Sequence, residues 1–140
     1  MEQVKQFRES TRRLEMNLAE INRTDCCCCG ISDTQCFVLV EIGRKANISV
    51  KELAEKLRLD KSGISRTVED LVQKGFVERK PSIEDRRYVV LNLTDKGAER
   101  FNKIESDMDK NFKVILDRIP EDKRDQVIES LQLYNAAFEI

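Results

Sequence analysis

Histidine and tryptophan are absent from this chain of 140 residues, which holds only two prolines and five glycines. The missing histidine removes the commonest general base, the commonest nitrogen ligand for metals and the side chain that most readily titrates near neutral pH. No nucleophile paired with a base, no phosphate-cradling glycine loop and no paired-carboxylate motif takes its place, so an enzyme is not expected. Long apolar runs are lacking too. The opening MEQVKQFRESTRRLEMNLAEI is amphipathic and carries acids, without the apolar stretch of a signal peptide, and no later segment has the length needed to cross a bilayer. These features predict a cytoplasmic protein with no membrane partner.

What is present is charge and helix-forming sequence. Charged residues make up 36% of the chain with a formal net charge of -1, and hydrophobic residues 40%, a helix-rich profile long enough for one domain with its own core. The charge is uneven. Between residues 61 and 87 stand Lys61, Arg66, Lys74, Arg79, Lys80, Arg86 and Arg87 against Glu69, Asp70, Glu78, Glu84 and Asp85, whereas acids dominate from Glu105 onward. A near-neutral protein with one basic surface is suited to nucleic acid.

Apolar spacing gives the order of elements. Val4, Phe7, Leu14, Leu18 and Ile21 recur at helical intervals, and Ser32 with Gln35 forms a capping box that opens a second helix. Ser49 and Glu52 repeat that device before Leu53, Ala54 and Leu57, and Asp60 is a good N-cap for a fourth helix with Ile64, Val68 and Leu71 on one face. After Gly75 the period changes. FVERK and YVVLNL are strand-like runs joined by the polar PSIEDRR, a hairpin with a long loop. Thr94 then caps a long helix striped by Ala98, Phe101, Ile104, Met108, Phe112 and Ile115, and Pro120 precedes a last helix with Val127, Leu131, Tyr134 and Phe138.

Residues 49–93 thus read helix, turn, helix, hairpin. A recognition helix offers mainly its N-terminal residues to a major groove, which makes Lys61, Ser62, Ser65 and Arg66 the natural readers of DNA. The hairpin gathers Arg79, Lys80, Arg86 and Arg87 around one loop, where a narrow minor groove would attract an inserted arginine, and Asp85 is placed to aim a guanidinium. The alternative for these residues is an amphipathic surface helix and a solvated salt bridge.

The stretch SVKELAEKLRLDKSGISRTVEDLVQKGFVERKPSIEDRRYVVLNLTDKG resembles the MarR family of winged-helix transcriptional regulators. The likeness is carried by Leu53 with Ala54, by Ser62 and Ser65, by GFVER leading into the wing, by DRR at its tip and by LTDKG opening the next helix. It implies a mainly α fold with a small β-hairpin wing, as a single domain over residues 1–140. Residues 32–93 would be the winged helix-turn-helix DNA-binding lobe, and residues 1–25 and 94–140 the dimerisation helices. It further implies a homodimer on a palindromic operator in double-stranded DNA, acting by repression or activation with a repressor expected first, with Arg86 in the minor groove and Asp85 supporting it. Small-molecule or oxidant effectors would act near the junction of lobe and dimerisation helices. Apolar stripes on two terminal helices exceed what one lobe can cover, an independent argument for pairing.

The segment TDCCCCGISDTQC holds all five cysteines. In a reducing compartment such an odd cluster argues for redox or metal chemistry rather than a disulfide framework. Cys36 stands at the position of a hydrophobic staple with Ile31, a packing role. Cys26, Cys27, Cys28 and Cys29 cannot all face one core. Oxidation to a disulfide, capture of a soft metal ion, an iron-sulfur cluster and a silent surface run all remain open for them, and a four-thiolate zinc site would need Cys36 or a second subunit. No cofactor is required for DNA binding. The competing function is a thiol-based redox or metal-handling protein without operator binding, which leaves the basic wing without a purpose.

Overall fold

The computed structural model describes residues 2–25 and 30–139, and in it the helices open where the polar caps stand. Helix α1 spans Glu2–Asp25 and α2 Asp33–Arg44; α3 is Val50–Leu57 and α4 Lys61–Gln73. Strands β1 (Val77–Pro81) and β2 (Val89–Leu93) follow, then α5 (Asp95–Asp117), a 3-10 turn at Glu121–Lys123 and α6 (Arg124–Ala136). The Ser32 and Ser49 hydroxyls accept from the backbone of Gln35 (3.2 Å) and Glu52 (3.0 Å), and each partner's side chain accepts from the cap's own N–H in return. Two helix N-termini with few orphaned donors result. Asp60 caps α4 through the Gly63 N–H, and Thr94 caps α5 through the Gly97 N–H at 3.1 Å.

The chain divides into two compact units, Met1–Glu105 and Ser106–Ile140, with α5 passing from one into the other. The core of the first lies under the helix-turn-helix. Val38, Leu39 and Ile42 of α2, Leu53 of α3, Ile64, Val68 and Leu71 of α4, and Leu91 of β2 are all buried. Each large aliphatic side chain so buried stabilises the lobe by about 1.5 to 3 kcal/mol. The two strands pair antiparallel from Val77 opposite Leu93 to Pro81 opposite Val89, so Pro81 ends the ladder rather than opening the loop. Ile48 adds a single bridge to Leu91, with the Leu91 N–H donating to the Ile48 carbonyl at 2.8 Å. The hairpin is thereby anchored to the segment before α3.

A close approach fixes the start of α5. The Gly75 carbonyl accepts from the Thr94 hydroxyl at 2.6 Å, the Phe76 carbonyl accepts from the Thr94 N–H at 3.0 Å, and Gly97 lies so near that carbonyl that a side chain there would collide with it. Lys96 and Arg100 stand over the Phe76 ring at 4.7 and 5.0 Å.

In the second unit Arg124 donates to the carbonyls of Ile119 and Asp117, satisfying the open end of α5. Tyr134 and Phe138 stack at 5.4 Å. No residue of α6 is buried, and Leu133 and Phe138 are 67% and 59% exposed. The same holds for Val4 and Phe7 of α1 in the first unit. No helix among the described residues is long and apolar enough to cross a membrane.

Candidate nucleic-acid interface

Helix α4 rests on Ile64, Val68 and Leu71, and this leaves Lys61, Ser62, Ser65 and Arg66 exposed on its opening turns. One oxygen of the Asp60 carboxylate ahead of them, Oδ2, is engaged twice. It accepts from the Ser62 hydroxyl and the Gly63 backbone, and these bonds, that of Ser62 foremost, hold its pKa below the usual carboxylate range. The Ser62 hydroxyl proton is thus directed at Asp60, so its oxygen faces outward as an acceptor. An acceptor suits the amino groups of cytosine or adenine better than a phosphate.

The wing loop is closed by the Ser82 N–H on the Tyr88 carbonyl (2.8 Å) and the Tyr88 N–H on the Asp85 carbonyl (3.0 Å). Asp85 holds a different arginine from the one expected. Its Oδ1 accepts from the backbone of Arg87 at 3.1 Å, and both carboxylate oxygens accept from the Arg87 guanidinium at 2.8 to 3.2 Å. The Arg87 contact lowers the pKa of Asp85, and Asp85 raises that of Arg87. An Asx-type turn reaches two residues on, which selects Arg87 over its neighbour. Arg86 is exposed and makes no ion pair among the described residues.

Two further bases on the hairpin meet acids of their own chain. Arg79 pairs with Glu69 of α4, and Lys80 with Glu78 at 3.1 Å. Exposed pairs of this kind are worth at most about 1 kcal/mol, so a phosphate can displace either acid at little cost. The Glu69 pair had no sequence signal, since it depends on how α4 is rotated against β1. Cys36 is half-buried on the first turn of α2 and Ile31 before it is buried. Cys26, Cys27, Cys28 and Cys29 lie outside the described residues.

Residues 30–87 match the model of the MarR family. Over 103 residues the chain is 35% identical to the HTH-type transcriptional regulator BilQ of Clostridium symbiosum, covering 74% of this chain and 72% of that one. The chain belongs to the MarR family. It is therefore a transcriptional regulator with a DNA-binding fold and not an enzyme. Another relative, the organic hydroperoxide resistance transcriptional regulator of Bacillus subtilis, is 30% identical over 91 residues, covering 65% of this chain and 56% of its own length. Among solved structures, FabT of Streptococcus pneumoniae in complex with DNA matches with a TM-score of 0.81 at 20% identity, over 99% of this chain and 96% of that one. That likeness is one of fold.

Proposed function

We propose that this MarR family protein binds a palindromic operator in cytoplasmic double-stranded DNA as a homodimer and represses transcription there. The observation that carries the proposal is the wing. Asp85 holds Arg87 and leaves Arg86 exposed without an ion pair among the described residues, the arrangement suited to a narrow, strongly negative minor groove. Ser62, Ser65 and Arg66 would read the adjacent major groove, while Lys61, Arg79, Lys80 and Arg87 would contact phosphates. Exposed apolar side chains on α1 and on α6 support pairing of two copies through these helices. Two-fold symmetry in the protein calls for two-fold symmetry in the site.

A response to an oxidant, a soft metal ion or another small effector through Cys26–Cys29, with Cys36 as a further thiol, is the finer part of the proposal. It rests on the run of thiols and on the name of the hydroperoxide-resistance relative. In vitro selection of DNA followed by footprinting tests both parts. The expected footprint has two half-sites centred about 10 base pairs or a multiple apart. Serine at all four positions 26 to 29 is expected to leave binding by reduced protein unchanged and to abolish its response to peroxide and soft ions. A single unpaired half-site would contradict the dimer on its operator, and an unaltered response in the serine variant would contradict the sensor.

A further inference from the structure

A helix that rests on one apolar stripe can roll about its own axis unless something holds its flanks, and α4 is held on both. With successive residues ~100° apart, Glu69 and the pair Asp70 and Lys74 fall on opposite sides of the stripe made by Ile64, Val68 and Leu71. On one side Glu69 pairs with Arg79 of β1. On the other, at the end of α4, the Lys74 ammonium donates to the Gly30 carbonyl at 2.5 Å and to Gln35 Oε1 at 2.8 Å, while Gln35 Nε2 approaches Asp70 at 3.5 Å. The Lys74 carbonyl in turn accepts from Lys96 of α5 at 2.9 Å. One lysine thus ties the end of α4 to the start of α2 by its side chain and to the start of α5 by its backbone.

We infer that Lys74 is a positioning residue for sequence recognition: it touches no DNA and fixes the roll and tilt of α4 through Gln35 and Gly30. The lever is long. Lys61 lies ~20 Å along the helix from Lys74, so a tilt of ~5° about that end displaces the reading side chains by ~1.7 Å. Hydrogen bonds to base edges do not survive such a shift, whereas phosphate contacts by flexible lysines and arginines do. Loss of the tie therefore reduces discrimination between sequences and spares non-specific binding.

This inference rests on the operator-binding function proposed above, and the experiment separates the two. Parent, Lys74→Met, Gln35→Met and the double variant are titrated against the selected operator and a scrambled duplex over a range of salt, with circular dichroism verifying the fold. Lys74→Met is expected to lose operator affinity by about five-fold or more, the worth of one hydrogen bond, while scrambled-duplex affinity and salt slope stay at the parent's values. The double variant loses no more than the worse single one, because both break the same tie. Lys74→Arg, which keeps the donors, retains most of the affinity. Should Gln35→Met fail to fold for want of its cap, Lys74→Met and Lys74→Arg carry the test on their own. Unchanged operator affinity in Lys74→Met, or additive losses, overturns the inference. So does an equal loss on both duplexes with a salt slope smaller by about one, which would mark Lys74 as a phosphate contact. A parent that does not distinguish the duplexes refutes operator binding and this inference with it, before any variant is made.

Discussion

Gly97→Ala is expected to lower the melting temperature of the protein by about 3 to 15 °C. The added methyl group would collide with the Phe76 carbonyl oxygen, a backbone atom that cannot swing away as a side chain would. That carbonyl is also the acceptor for the Thr94 N–H, and Thr94 caps α5 through Gly97, so retreat breaks the junction between wing and helix. Forcing an extra carbon into such a contact costs about 1 to 3 kcal/mol and sometimes more. For a chain of this length each kcal/mol moves the midpoint by about 3 to 5 °C. Thermal melts followed by circular dichroism measure it. A shift under about 2 °C would mean that α5 does not start against the Phe76 backbone.

The caps that open these helices were legible because they are local. Ser32 with Gln35 and Ser49 with Glu52 each sit three residues apart, and the spacing alone closes both hydrogen bonds. The strands were legible from their β-branched runs, and the exposure of Lys61, Ser62, Ser65 and Arg66 on α4 from the buried stripe that excludes them. What stayed hidden was pairing across elements. Glu69 with Arg79 and Lys74 with Gly30 and Gln35 depend on the rotation of α4 against its neighbours, which no periodicity encodes. The choice of Arg87 by Asp85 is an intermediate case. It follows the local rule that an aspartate bonds two residues on, but the family resemblance drew attention to Arg86 instead.

The apolar stripe of α5 shows the same division within one helix. Ile104 is buried, while Phe112 and Ile115 of the same stripe are exposed, so the pattern was readable but its cover was not. If a second copy supplies that cover, Leu131→Asp with Phe138→Asp is expected to give monomers by sedimentation equilibrium. Both side chains are exposed in the single chain, so its fold should survive the change. Operator affinity should fall about 100-fold or more, because two linked half-site contacts become one. A parent that sediments as a monomer at micromolar concentration would contradict the dimer, and a variant that remains dimeric and binds normally would place the contact elsewhere.

In the proposed complex the wing and the opening turns of α4 bind DNA in distinct ways. The direct test is a fluorescence titration of the selected operator and a scrambled duplex with parent, Arg86→Ala and Lys61→Ala at several salt concentrations. The parent should prefer the operator by at least about 1,000-fold. Arg86→Ala should weaken operator binding by about 1 to 3 kcal/mol, and Lys61→Ala should reduce the salt slope by about one while leaving the preferred sequence unchanged. A parent that binds both duplexes alike would rule out operator recognition, and an Arg86→Ala variant that holds the operator as tightly as the parent would rule out the wing's role in it.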